Sequence, residues 1–289
     1  ALLLAETHGR QWQGDMAIRR RDERIREVIT SIVALHDADG ESVGYITSYQ
    51  DVSRLNALDR ARREFITNVS HQLRTPVTTI GLLLELLPDR ETASKTVQDY
   101  VRMMQTEIHS LKHLVEDILT IARLDSGEAL TTWRRVSLPD VLDNLFKRYQ
   151  SYAESQGVAF AVQPSAEALP SIHGDPHQVL HLLAEITENA LNFTPPGGQV
   201  TVEPDVVQRD GHVWARITVR DTGPGLIPEE REKVFERFFR GRLAASGNVP
   251  GTGLGMSIAQ ALTRAHGGQI TVESEEGEGA TFTVWLPGT

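Results

Sequence analysis

Two apolar seams constrain this chain more than anything else in it. Ile66, Val69, Leu73, Pro76, Ile80, Leu83 and Leu87 recur at alternating steps of three and four. Val97, Val101, Met104, Ile108, Leu111, Val115, Ile118 and Ala122 then repeat the alternation. That spacing belongs to helices that bury one stripe against other helices. Pro88-Asp89 interrupts the first helix, and Asp125-Ser126-Gly127 ends the second, with a glycine suited to a left-handed C-terminal residue. A hairpin of two such helices carries more apolar stripe than it can cover alone. The spacing therefore predicts a four-helix bundle built by two chains, and with it a homodimer.

A hairpin uses only part of 289 residues, a length that suits two or three modules of ~100–150 residues. Upstream, alternation predicts strands over Met16 to Arg21, Arg26 to His36 and Val43 to Asp51, with Asp37-Ala38-Asp39-Gly40 as a turn. Downstream of Trp133 the texture is mixed. Helices are expected over Leu138 to Gln156, Gln178 to Asn192 and Ser257 to His266. Strands are expected over Val158 to Val162, Val200 to Val207, Val213 to Arg220, Gln269 to Ser274 and Ala280 to Leu286. This is the pattern of an α/β sandwich, and its irregular stretch from Arg240 to Gly251 suits a mobile lid.

Charge and composition narrow the function. A net charge of −10 sets the overall field against nucleic acid and anionic membranes. The absence of cysteine excludes disulfides, thiolate metal sites and cysteine nucleophiles. No apolar run approaches the roughly 18 residues of a spanning helix, and Ala1 to Ala5 is too short for a signal peptide. The expectation is a soluble, cytoplasmic chain without membrane contact, any spans lying upstream in a longer parent.

His71 is placed by the first seam. It lies two residues past Val69, about 200° around the helix from the apolar stripe, so its imidazole should face water. The stretch Ser70-His71-Gln72-Leu73-Arg74-Thr75-Pro76 resembles the phospho-accepting box of sensor histidine kinases. The resemblance implies that His71 attacks the γ-phosphorus of ATP through one ring nitrogen while the other keeps its proton. In that family the next residue is usually acidic and orients the ring or accepts its proton; here it is Gln72. An amide oxygen accepts a hydrogen bond but takes no proton, so autophosphorylation should be slow with the fold intact. Arg74 and Thr75 lie one turn on from His71, and by resemblance Thr75 positions water when a partner's aspartyl phosphate is hydrolysed. Pro76 removes a donor beside the box and should bend the helix there.

Four further stretches are similar to the nucleotide boxes of the same family, in the family's order. Glu185 to Thr194 resembles the N box, Asp221-Thr222-Gly223-Pro224-Gly225 the first glycine box, Phe235 to Phe239 the phenylalanine box, and Gly251-Thr252-Gly253-Leu254-Gly255 the second glycine box. The resemblance implies ATP and Mg²⁺ as cofactors. Asn189 would offer its amide oxygen to Mg²⁺, a hard ion that prefers oxygen ligands. Asp221 would accept from the adenine amino group, with Gly223 and Gly225 letting the backbone pass close to the base. Gly251, Gly253, Leu254 and Gly255 open a helix whose free amides can face phosphates. Asn192, Phe193 and Thr281 complete the set assigned to the nucleotide. Asn192 stands where the family often has a cation, and Phe193 keeps the stacking face of a frequent tyrosine without its hydroxyl.

The expected organisation is a partial PAS sensor fragment of α+β type over residues 1–52, a dimerisation and phosphotransfer hairpin over 53–127, and a catalytic ATP-binding domain over 133–289. The PAS assignment rests on a resemblance of Asp39-Gly40 and the closing Asp51-Val52-Ser53 to the C-terminal half of such a domain. The implied function is an ATP-dependent protein-histidine kinase whose phosphoryl group passes to an aspartate on a response-regulator receiver domain. Two alternatives stand beside it. Glu185 occupies the position at which related ATPases carry a water-activating glutamate, which would make the chain hydrolytic. A scaffold that binds nucleotide without phosphotransfer is the other. His177 with His181, and His109 with His113, fall at i and i+4 but have no third ligand nearby in sequence, and read as solvated faces. The arginines from Arg19 to Arg26 read as a solvated charge run, and Arg240 and Arg242 as phosphate contacts by position alone.

Overall fold

The computed structural model describes residues 11–19, 23, 25–39, 42–87, 95–125, 133–209, 211–245 and 251–289. The chain divides into two compact units, the first ending at His71 and the second beginning at Gln72. Among the described residues no helix is long and apolar enough to cross a membrane.

In the first unit β1 (Gln11–Arg19), β2 (Ile25–His36) and β3 (Ser42–Asp51) form an antiparallel meander in that spatial order. β1 begins earlier than its own alternation foretells, because Trp12 to Asp15 pair with Ile32 to Ile29 and extend the ladder. Val28, Thr30, Ile32 and Ala34 are buried, so the period of two turns one face of β2 inward. α1 (Ser53–Glu85) leaves this sheet through one residue, Glu27. The Val52 amide donates to the Glu27 carbonyl at 3.0 Å, and the Ser53 hydroxyl accepts from the Glu27 amide at 2.9 Å. Asn56 Nδ2 donates to the Glu27 carboxylate at 2.7 Å and Arg60 pairs with it. The Arg60 and Asn56 hydrogen bonds hold this carboxyl below its ordinary pKa. The first turns of the helix are thereby pinned to the central strand.

α1 is continuous to Glu85 with Pro76 inside it. The expected stop at Pro88 lies outside the described residues. α2 (Lys95–Asp125) carries the second seam, and its expected stop at Ser126-Gly127 lies outside the described residues. Its seam is largely open in a single chain: Val101, Ile108 and Val115 are 40%, 56% and 43% exposed. A different face is covered instead, with Leu114, Asp117 and Ile121 at 2%, 7% and 3%.

The rest of the second unit is a two-layer sandwich. Its elements in chain order are β4 (Arg134–Val136), α3 (Leu138–Gln156), β5 (Ala159–Val162), β6 (Ile172–Gly174), α4 (Pro176–Phe193), β7 (Gln199–Arg209) and β8 (His212–Asp221). They continue with α5 (Pro228–Lys233), α6 (Arg242–Ala245), α7 (Gly255–Ala265), β9 (Gln269–Ser274) and β10 (Ala280–Pro287). The main sheet runs β5-β7-β8-β10-β9, parallel only between β5 and β7. β4 and β6 form a separate short pair that sequence alternation is too brief to reveal. Val200, Val202, Ile217, Val219, Phe282 and Val284 are buried on the sheet, with Leu145, Leu182, Leu183, Ile186, Ile258 and Leu262 from α3, α4 and α7. α4 packs between α3 and α7 and also touches β8.

Helix ends follow local chemistry. Ser137 accepts from the Asp140 amide at 3.4 Å at the start of α3, and Asp175 from the His177 amide at 2.8 Å at the start of α4. Both helices carry proline in their first turn, where a missing donor costs little. Gly157, at φ +69°, closes α3 in the left-handed region.

Candidate functional site

Asp221 ends β8 and is 6% exposed. Its Oδ1 accepts from the Gly223 amide at 2.8 Å and the Ala280 amide at 3.2 Å. Burial pushes its pKa up, and these two amides oppose that only in part. The glycines beside it leave no room for side chains. A Cβ on Gly223 would lie 2.9 Å from both Asp221 Oδ1 and the Phe193 carbonyl. Gly225 has φ +68°, and a Cβ there would lie 2.0 Å from the Glu275 carbonyl, a backbone atom. Gly225→Ala should therefore destabilise the protein by ~2 kcal/mol or more, from left-handed strain of about 1–2 kcal/mol plus displacement of that carbonyl. Thermal unfolding should shift down by about 4 °C or more, and an unchanged midpoint would show that the turn relaxes freely.

The second glycine box enters α7 at Gly255, two residues earlier than the helix its sequence foretells. Gly253 has φ +73° and lies against the Phe238 backbone, whose amide donates to the Gly253 carbonyl at 2.8 Å. The phenylalanine and second glycine boxes are thus tied together, and Phe235 meets the buried Phe282 edge-on at 6.3 Å. Leu254 is fully buried and anchors the loop, with its amide donating to the Thr252 hydroxyl at 3.2 Å. Gly251, at φ +148°, has open space around it.

α4 connects the two glycine boxes. At its end the Phe193 carbonyl lies against Gly223, and two turns earlier Glu185 Oε2 would lie 2.2 Å from a Cβ on Gly255. Asn189 is half-buried between them. Asn192 Oδ1 accepts from the Tyr152 hydroxyl at 2.6 Å. Glu188 accepts from the Tyr149 hydroxyl at 2.9 Å, and burial, then the Glu188 charge, pushes that phenol's pKa up. Thr281 is half-buried on β10 and accepts from Arg220 Nε at 3.4 Å. α4 thus lies against the first glycine box at Phe193 and against the second at Glu185, with Asn189 on the helix between them.

On α1, His71, Arg74 and Thr75 are exposed, Gln72 is half-buried and Pro76 is buried. The side of the helix foretold for His71 is the solvent side. The Ser70 hydroxyl donates to the Ile66 carbonyl at 2.8 Å, and the Thr79 hydroxyl to the Thr75 carbonyl, next to Pro76, at 3.1 Å.

Residues 61–127 match the His Kinase A (phospho-acceptor) domain, and residues 174–289 match the histidine kinase-, DNA gyrase B-, and HSP90-like ATPase family. The sensor histidine kinase WalK of Bacillus subtilis is 31% identical over 268 residues, covering 92% of this chain and 43% of its own length. The chain belongs to the sensor histidine kinases. The sensor-like histidine kinase SenX3 of Mycobacterium tuberculosis is 32% identical over 246 residues, covering 85% of this chain and 58% of its own. The chain thus spans roughly half the length of these curated relatives. Among solved structures, full-length ShkA in complex with AMPPNP superimposes with a TM-score of 0.57 at 27% identity, over 78% of this chain and 46% of that one.

Some parts of this histidine kinase escaped the sequence. His181 is not on a solvated face: its Nε2 meets Glu185 Oε1 at 3.0 Å, and its neighbour across space is Asp117 of α2. Asp117 Oδ2 accepts from the Thr252 hydroxyl at 3.3 Å, joining α2 to the second glycine box. Burial, then the Glu185 charge, raises the Asp117 carboxyl to about 7. Burial alone would lower the His181 pKa, but Glu185 and Asp117 together raise it. A signal was present, since Asp117 sits three after Leu114 and four before Ile121, an acid at an apolar period. His177 is exposed, as foretold, and the His109 side chain lies outside the described residues. Arg242 is occupied by Glu230 and Glu276, and Arg240 donates to the Ala244 carbonyl at 2.6 Å. The short helix α6 breaks the stretch expected to be an irregular lid.

Proposed function

We propose that this protein is an ATP-dependent protein-histidine kinase that phosphorylates His71 and passes the phosphoryl group to an aspartate of a response-regulator receiver domain. The observation that carries this is the buried Asp221 carboxylate, fixed by two backbone amides inside a glycine-walled cradle. It is joined by α4 to a second glycine loop at the start of α7. A carboxylate held in that way suits the exocyclic amine of adenine, and a glycine-rich helix N-terminus suits the phosphates. The residues fit Mg²⁺ as well: Asn189 would hold it through an oxygen, and the ion would offset charge on the phosphates.

In the transfer, a bond forms between a ring nitrogen of His71 and the γ-phosphorus, and the bond to the bridging β-γ oxygen breaks to release ADP. The proton on the other ring nitrogen must then be stabilised or removed. The amide of Gln72 can accept a hydrogen bond from it but takes no proton. Asn192 leaves the phosphates without the cation frequent at its position, and its oxygen is engaged by Tyr152.

The module organisation goes with this function: a partial PAS fragment before the helix, a phosphotransfer hairpin and an ATP-binding domain. A second copy would cover the open stripe through Val101, Ile108 and Val115, completing a dimeric four-helix bundle. Incubation with γ-labelled ATP and Mg²⁺ tests the reading. The expected product is an acid-labile, base-stable phosphoprotein that is absent in His71→Ala. No label in the wild type, or full labelling of His71→Ala, would overturn it. Phosphate release that survives His71→Ala and disappears in Glu185→Gln would instead establish the hydrolytic alternative.

A further inference from the structure

One side-chain cluster, bordering the second glycine box, joins the phosphotransfer region to the ATP-binding region. Asp117 comes from α2, and His181 and Glu185 from successive turns of α4, the helix that also carries Asn189. Their ligand atoms all lie within 4.8 Å of one another. His181 and Glu185 stand at i and i+4 with 3.0 Å between Nε2 and Oε1, a spacing by which one helix presents two ligands to one ion. Asp117 is 7% exposed, and Glu185 and His181 are half-buried. Two carboxylates that share a poorly hydrated space repel each other, and a cation between them relieves both.

The donor set decides which cation. One imidazole nitrogen and two carboxylate oxygens on helices suit first-row divalent ions such as Zn²⁺ and Mn²⁺, whereas Mg²⁺ favours oxygens and water. Small side-chain rotations would bring all three to the ~2.0–2.2 Å of a zinc site. Positions beyond the three ligands would remain for water. Sequence spacing set His181 only beside His177 and read both as solvated, because the partners Asp117 and Glu185 are brought together by packing.

We propose that Asp117, His181 and Glu185 form a binding site for a divalent transition-metal ion that ties α2 to the ATP-binding domain. The ion would hold Asp117 where its Oδ2 engages Thr252, and Glu185 where it abuts Gly255, so both contacts restrain the second glycine box. Phosphotransfer requires that loop to close on ATP and then release ADP, so the bound ion slows it. This consequence rests on the kinase function proposed above; ion binding itself does not.

Calorimetric titration of the nucleotide-free protein with ZnCl₂ and with MnCl₂ near neutral pH tests the site. One ion should bind per chain. Asp117→Asn and His181→Ala should each weaken binding by about 10-fold or more, and His177→Ala, on the exposed side of the same helix, should leave it unchanged. Asp117→Asn keeps its shape and an acceptor for Thr252, so weakened binding with a native melting curve reports a lost ligand and not a lost fold. Absence of saturable binding, equal binding in His181→Ala, or loss in His177→Ala would each overturn the site. In the labelling assay, saturating Zn²⁺ should slow phosphohistidine formation about 10-fold in the wild type and much less in Asp117→Asn, with recovery on chelation. Binding without slowing would overturn the coupling. A wild type that takes no label without the ion would sink the kinase function, while the titration still decides the site.

Discussion

Gln72→Glu should raise the rate of phosphohistidine formation by ~10²-fold or more, the range that general-base assistance contributes. The expected gain follows from what an amide lacks. Gln72 directly follows His71, in a helix continuous through both residues. Its oxygen can orient the imidazole, but as phosphorus bonds to one ring nitrogen, positive charge grows on the ring and the other nitrogen must shed its proton. A glutamate in the same place is nearly isosteric, so the change supplies a charge and a base without repacking. It is half-buried, where such a charge is less screened than on the open surface. The measurement is single-turnover labelling at saturating Mg·ATP, with nucleotide affinity measured in parallel. An unchanged rate at equal affinity would mean that proton removal does not limit the proposed transfer to His71. If the proposed role of Thr75 in positioning water holds, hydrolysis of a partner's aspartyl phosphate should also rise, since an adjacent carboxylate would help to orient that water.

Asp221→Asn should weaken Mg·ATP binding by about 10- to 100-fold, because a hydrogen bond to a charged group contributes ~1.5–3 kcal/mol. The amide oxygen can keep both bonds that Oδ1 now accepts from Gly223 and Ala280, so the turn and melting temperature should survive. What changes is the other end of the side chain. An NH₂ group would face a base that itself presents an amine, and two donors meet without an acceptor. Burial raises the price of that mismatch by excluding water. Calorimetric titration with a non-hydrolysable ATP analogue gives the answer, and native affinity would show that adenine is read elsewhere. A large drop in thermal stability would mean that Asp221 serves mainly to hold the turn.

Much of the ATP-binding domain is legible in the sequence because its signals are local. Ser137, Pro139 and Gly157 bound α3 through caps that each span a few residues, and the helix appears at Leu138–Gln156 as foretold. The glycines at 223, 225 and 253 mark places where backbone approaches backbone, and each proves to sit where a Cβ would collide. The exposure of His71 follows from counting around a helix. β4 and β6 are different. Each is three residues long, and only their pairing makes them strands.

α2 shows where local pattern ends. Alternation along α2 identifies a helix with an apolar stripe, but not how many faces are used. In the single chain, Leu114, Asp117 and Ile121 are covered on the face that meets the second glycine box, and Ile108 and Val115 remain open. A seam for a second helix and a face for another domain coexist on one helix.

The sequence by itself determined the two seam helices, the sandwich, the boxes that belong to histidine kinases, and the replacement of an acid by Gln72. These depend on periodicity and on residues a few positions apart. Only the tertiary structure decided that Asp117 of α2 would meet His181 and Glu185 of α4, and that α4 would run from one glycine box to the other. Those contacts join distant segments, and no spacing along the chain encodes a distance that packing alone creates.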